Sequence, residues 1–222
     1  MASTTDQLTE TERTRVRRHA DRASFDRAAA YAVIDESYIA HIGFVIDGEP
    51  RVLPMTYGRV DDMLYLHGAV GNAMLRAGTD AEVCVTFTLL DGLVLARSAF
   101  HHSMNYRSAV VVGTASKVLE PAEKREAFDA IVEHVLPGRS RVARPSNDAE
   151  LRSTLVLRLP IHEGSVKIRT GGPSDEPDDM ALPVWAGVVP LTFTAGSPVQ
   201  ERLQQGSDCG SAPAPADLQR GV

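Results

Sequence analysis

The sequence predicts an antiparallel β-barrel with helices packed outside it, a mainly β chain of the α+β class. Three observations carry this. Strand-like runs follow one another with turn signals at short intervals, so consecutive strands pair as hairpins. Only two segments carry a clear helical period. No regular alternation of strand and helix runs along the chain, which excludes a doubly wound parallel sheet.

The elements follow in order. Residues 24–36, SFDRAAAYAVIDE, are Ala-rich with apolar residues at helical spacing, and Ser24 is placed to cap that helix. The period then changes. Residues 38–46, YIAHIGFVI, read as a strand, and Asp47-Gly48 is a strong hairpin signal. Residues 51–59 form the return strand, with Pro54 marking an edge, a bulge or a ligand-facing stretch. Residues 63–67 are a third strand, and 68–78 a short helix stopped by Gly78. Strands at 81–90 and 93–97 are divided by an Asp91-Gly92 turn. A polar loop at 100–105 leads into a long strand, 106–119, that bends at Gly113. Pro121 opens the second clear helix, whose apolar stripe is Ala127, Phe128, Ile131, Val132 and Val135. A short helix at 148–153 and strands at 155–159 and 165–169, joined by a Glu163-Gly164 turn, complete the barrel. From Thr170 the chain is too rich in Gly and Pro for a regular element.

A chain of 222 residues fits one domain on a prior of roughly 150 residues each. The expected organisation is a flexible polar N-terminal arm at 1–22, a domain at 23–193 and a disordered C-terminal tail at 194–222. Hydrophobic residues at 43% exclude a wholly disordered chain. Lys and Arg number 23 against 29 Asp and Glu, a formal charge of −6. That argues against a nucleic-acid or anionic-membrane partner but leaves room for a small anion in a local basic pocket. Of the two cysteines, Cys84 lies in an apolar run and Cys209 in a polar stretch, so no disulfide is expected. No CxxC spacing points to zinc, and the metal expectation is none. No apolar window is long enough to span a bilayer, and no apolar stretch follows Arg17-Arg18, so the expected location is cytoplasmic.

No established catalytic motif is present, and the catalytic residues stay unknown. Four weaker constellations remain. The strand-to-helix junction His67-Gly68-Ala69-Val70-Gly71-Asn72 would expose backbone N–H groups to an anion, or is an ordinary βα turn. The segment Arg51-Val52-Leu53-Pro54-Met55-Thr56-Tyr57 would let a planar ligand lie along a strand, or is a solvated edge. The polar cluster from His101 and His102 through Ser103, Asn105 and Arg107 suits a ligand pocket or a dimer contact better than a metal. Adjacent histidines on an extended chain point to opposite faces. Trp185 sits in a Pro/Gly-bounded stretch and either covers a ligand or a neighbouring subunit, or anchors the tail.

Taken together, VLPMTYG at 52–58, LYLHGA at 64–69, LVLARSAFHHSMNYRSAVVVGTA at 93–115, KIRTGGP at 167–173 and VWAGVVPL at 184–191 resemble the pyridoxamine 5'-phosphate oxidase-like family, the FMN-binding split barrels. The nearest branch is that of flavin-nucleotide-binding and nitroimidazole-resistance proteins. The resemblance implies a six-stranded antiparallel split barrel, a homodimer, and FMN in a groove shared by both subunits. The matching positions put Arg51, Pro54, Met55, Thr56 and Tyr57 along the flavin. His67, Gly68, Ala69 and Asn72 would meet its phosphate. Ser103, Asn105, Arg107 and Trp185 would complete the site. Many relatives carry a Lys after the HxA turn where this chain has Gly71-Asn72-Ala73, so Arg76 or Arg107 would substitute. The implied activity is an FMN-dependent oxidoreductase passing hydride or electrons to a small organic acceptor. The alternative is a non-catalytic flavin or haem binder, with a deazaflavin the remaining cofactor in such barrels. Tyr57, His67 and His102 are the candidate proton-transfer groups.

Overall fold

The computed structural model describes residues 6–201 and 212–214. Among them are ten strands and four α-helices. In chain order these are β1 (Ala23–Ser24), α1 (Arg27–Glu36), β2 (Ala40–Ile46), β3 (Glu49–Met55), β4 (Tyr57–Val60), β5 (Met63–Ala69), α2 (Ala73–Ala77), β6 (Ala81–Leu95) and β7 (Ser103–Lys117). They continue with α3 (Pro121–Val135), α4 (Asp148–Ser153), β8 (Thr154–Pro160), β9 (Glu163–Arg169) and β10 (Gly187–Pro190). Every pairing between these strands is antiparallel.

The strands form one continuous path, β3-β2-β6-β7-β8-β5-β4. Its two ends, β3 and β4, are joined through the single residue Thr56 and share no ladder. This is the seam of a split barrel. The long strand β7 makes the other division. Its residues 106–112 pair with β9, whereas Ser116 and Lys117 pair with β8. Inside lie Ile42, Phe44, Leu64, Leu66, Val85, Phe87, Val111, Leu157 and Leu159, with alternate residues on each strand facing inward. Burial of one such side chain contributes about 1.5–3 kcal/mol. A second cluster, Tyr65, Val118, Ala127, Ile131 and Val156, lies under α3 on the outer face of β5. There Gly58 is required, because a Cβ would stand 2.7 Å from the Ile131 nitrogen.

The structure corrects several expectations. Asp26, not Ser24, caps α1, its carboxylate accepting from the Ala28 N–H at 2.9 Å. The Asp47-Gly48 hairpin forms, with φ of 53° and 79° at the two turn residues, as a two-residue primed turn demands. The strand expected at 51–59 breaks at Thr56, where the chain leaves β2 for β5. Asp91-Gly92 is a bulge within one 15-residue strand rather than a turn between two. Gly92 lets β10 lie alongside, since a Cβ there would be 3.1 Å from the Val189 carbonyl oxygen. Glu163 and Gly164 open β9 instead of reversing the chain. β10 forms in the stretch expected to be irregular, and strand β7 begins at Ser103 rather than Tyr106.

The N-terminal segment is not a solvated arm. Leu8 is buried in the core and its N–H donates to the Phe25 carbonyl at 2.7 Å. Thr9 bridges to Glu163, and the Arg13 guanidinium pairs with Glu163. A leucine every strand of charge can hide is enough to dock a short segment, which a charge count along the sequence does not register. Most of the expected C-terminal tail, with Cys209, lies outside the described residues. No helix among the described residues is long and apolar enough to cross a membrane.

Candidate functional site

The residues singled out in the sequence fall into two sets. The first lies at the seam. Tyr57 pairs with Leu66, the residue before His67, while Met55 pairs with Ala40 of β2, so Thr56 is the step between the two ladders. The 67–69 stretch continues β5 beyond that pair and is held by β8. β3 is an edge strand, and Pro54, opposite His41, removes one donor from it. Arg51 is exposed and pairs with Glu49.

Much of this set holds the fold together. Tyr57 is fully buried, its ring 4.9 Å from Phe87 and 4.1 Å from His134, centroid to centroid. Its hydroxyl lies between the Ile34 and Ser37 carbonyls, the latter at 2.8 Å, and so ties down the end of α1. Its side chain is thereby an internal anchor. Asn72 caps α2, accepting from the Met74 and Leu75 N–H groups at 3.0 and 3.1 Å. The Val70 N–H donates to Ser153 and the Asn72 N–H to Ala69. The junction expected to offer several open N–H groups to an anion has thus committed four of them internally. Gly68 is needed for packing, because a Cβ would stand 2.6 Å from a Leu75 methyl.

Two groups, on β5 and on the helix after it, remain uncommitted among the described residues. The His67 ring is packed toward Phe128 of α3, and its Nδ1 is buried with no partner. Burial holds this imidazole below its ordinary value, so it is neutral at pH 7. Arg76, in the last turn of α2, is exposed and has no ion pair among the described residues. An unpartnered imidazole nitrogen, a free guanidinium and an open strand edge fit a phosphate-bearing planar ligand.

The second set lies along β7. Asn105 is buried, its carbonyl oxygen accepting from Arg169. Arg169 also donates to the Gly171 and Gly172 carbonyls at 3.3 and 3.1 Å. Arg107, expected to be available to a cofactor, is instead clamped by two carboxylates. Nη2 donates to Glu36 at 2.7 Å and to Asp91 at 2.8 Å, and Nε donates to Asp91 at 3.0 Å. Hydrogen bonds from Glu36, then Asp91, drive its pKa well above the ordinary arginine value. Glu36 is the last residue of α1, so Tyr57 and Arg107 grip the same helix end. The two carboxylates come from distant segments, and nothing in the local sequence announced them.

Among the described residues, the sets meet only at the end of α1, which Tyr57 and Arg107 both anchor; Ser103 and Trp185 lie well away from it. Pro54, His41, Thr86 and Val110 lie in one row across β3, β2, β6 and β7. Ser103 is seven residues further along β7, roughly 23 Å at 3.3 Å per residue. Trp185 is at that far end too, 63% exposed, just before β10. A cavity of about 280 Å³ is lined by Asp35, Arg59, Ala130, Glu133, His134 and Pro137, and none of the expected site residues borders it. No group of three His, Cys, Asp or Glu among the described residues converges on a metal-sized site.

Comparison with known proteins supplies a context for this geometry. A family model described as pyridoxamine 5'-phosphate oxidase matches residues 26–168. Among solved structures, the flavocytochrome Anf3 from Azotobacter vinelandii is 34% identical with a TM-score of 0.83, over 94% of this chain and 95% of that one. The FAD and heme binding protein from Mycobacterium smegmatis is 37% identical with a TM-score of 0.80, over 85% and 94% of the two chains. A candidate 5-nitroimidazole antibiotic resistance protein from Bacteroides thetaiotaomicron is 26% identical with a TM-score of 0.55, over 65% and 86%. No curated protein matches.

Proposed function

The chain belongs to the pyridoxamine 5'-phosphate oxidase family, and on that premise we propose that it is a flavoprotein that also binds haem and passes electrons between the two. One observation carries the reading. Two relatives match the chain over 85% or more of its length, and both are named for the pair of cofactors or for a flavocytochrome. The similarity to the flavocytochrome covers 94% of the chain and so extends past residue 168, where the family model ends.

The flavin's place is the seam. Pro54, Met55 and Thr56 lie along the ring edge through their backbone groups, and the 67–69 turn with Arg76 receives the phosphate. The name of the Mycobacterium smegmatis relative favours FAD over the FMN that the motifs suggested. A bound flavin supplies reversible one- and two-electron chemistry, while the protein orients it and excludes side reactions. The groove lies between two copies of the chain in a homodimer. Two features favour electron relay over proton-coupled turnover of an organic substrate. The Tyr57 hydroxyl is occupied by two carbonyls, and the His67 ring packs on Phe128 with its Nδ1 buried.

The test is the colour of the purified protein and the mass of its denatured extract. The reading expects flavin absorbance together with a haem Soret band, and the mass of FAD. Protein made with ample riboflavin and haem supply that shows neither band, and gains neither on addition, sinks it. Oxidation of a nicotinamide donor coupled to a quinone or nitroaromatic acceptor separates an enzyme from a pure carrier. If bound flavin is never reduced, the catalytic part fails and the binding part stands.

A further inference from the structure

We propose that His102 is the axial ligand to haem iron, through Nε2, on an apolar platform formed by the ends of β6, β7 and β10; this rests on the haem part of the function proposed above. His102 is exposed, and its Nδ1 is 3.0 Å from the Ser98 carbonyl oxygen. A carbonyl only accepts, so Nδ1 carries the proton and Nε2 keeps its lone pair, directed away from the backbone. An imidazole held in this way by a backbone carbonyl is oriented for a metal before the metal arrives.

The surroundings suit a flat, largely apolar plate. The β6–β7 ladder ends at Val94 opposite Ser103, so His102 is the residue just before it on β7's side and Leu95 the one just after it on β6. Leu95 is in turn paired with Gly187 of β10. The next row on the same face is Met104, Leu93 and Val189, side chains two residues apart lying on one side of a strand. Met104 is 51% exposed and Val189 40%. Gly187 leaves room in the row, and the Trp185 ring fills it: a Cβ on Gly187 would stand 3.0 Å from that ring. Trp185 therefore lies on the same face as Leu95, with most of its surface open. Trp185, Leu93, Val189 and Met104 thus make an apolar floor at the end of the ladder that His102 precedes, the kind of surface a haem held by Nε2 would cover.

The other histidines are less suited. His101 Nε2 faces Glu176 at 3.6 Å and its ring packs on Phe100. The His67 ring is packed toward α3, with its Nδ1 buried and unpartnered rather than held by a carbonyl.

The experiment is a hemin titration of the purified full chain, followed by the Soret band and by haem per chain, with flavin content measured on the same samples. Wild type is expected to bind one haem per chain. His102→Gly is expected to lose at least tenfold in hemin affinity while keeping its flavin, and added imidazole is expected to restore the wild-type spectrum. Trp185→Ala is expected to weaken hemin several-fold without altering the axial signature. His67→Ala and His101→Ala are expected to keep it. A Soret band in His102→Gly identical to wild type without imidazole overturns this assignment and leaves the haem reading standing. A wild type that takes up no hemin overturns both. Loss of flavin as well as haem in His102→Gly reports a folding defect, and the imidazole rescue then decides: no rescue counts against the ligand role.

Discussion

The seam and the platform are opposite solutions to the same local material. At the seam, residues that look like ligand contacts are mostly used up by the protein itself. Tyr57 holds α1, Asn72 caps α2, and the N–H groups of Val70 and Asn72 close their own turns. At the platform, the apolar side chains of Met104, Val189 and Trp185 face outward, and His102 has one nitrogen fixed and the other left open. A polar residue in a motif can thus be architecture, and an exposed apolar row can be the more informative feature.

Four measurements break or sharpen that contrast. The largest effect belongs to Tyr57. Tyr57→Ala removes a fully buried ring and its bridging hydroxyl, and should lower the unfolding free energy by about 3–5 kcal/mol in denaturant titrations. Unchanged stability with lost flavin would move Tyr57 from architecture to ligand. Arg107→Ala leaves Glu36 and Asp91 unpaired on a half-buried surface and should cost about 1–3 kcal/mol of stability. Its flavin affinity, measured on the folded fraction, should stay near wild type, and Arg107→Lys should recover only part of the stability because one ammonium cannot span both carboxylates. Arg76→Ala should behave in the opposite way. Stability should move by less than about 0.5 kcal/mol, while flavin dissociation rises about tenfold, or about 1.4 kcal/mol. An Arg76→Ala variant with wild-type flavin affinity would remove it from the phosphate site.

The smallest effect is a pH dependence. Burial lowers the His67 pKa from its usual 6.5. As the pH falls, the unfolded chain takes the proton before the folded one does, so stability is lost below about 6.5 and fully present above it. His67→Gln should flatten the fall in stability between about pH 7 and pH 5.5 relative to wild type. A variant whose pH profile superimposes on wild type would mean that His67 is not buried as the fold implies.

The barrel class was readable from local pattern, because alternation, turn dipeptides and helix caps are short-range properties. Asp47-Gly48 formed the expected hairpin, and Pro121 opened the expected helix. Asp91-Gly92 misled for the same reason: as a dipeptide it signals a turn, but the β6–β7 ladder runs through it and makes it a bulge, with β10 on the other edge. Leu8 was hidden among charges, and its burial depends on Phe25 and Gly164, which only the fold brings to it. The site was legible as a collection of residue types and much less as an arrangement. Arg107 looked available until Glu36 and Asp91, 71 and 16 residues away, closed on it.

What the sequence by itself determined is the alphabet of elements, the antiparallel pairing, and the family to which its motifs belong. These depend on spacings of two to four residues, which the chain displays directly. What only the tertiary structure decided is the state of each functional side chain. Whether a guanidinium is free or clamped, or a histidine has its lone pair turned outward or buried, depends on partners that are remote in sequence, and so on the register of strands and the packing of helices. Arg76 was left without an ion pair among the described residues, Arg107 was clamped, and His102 was set at the edge of an apolar floor because β10 returned to lie against β6.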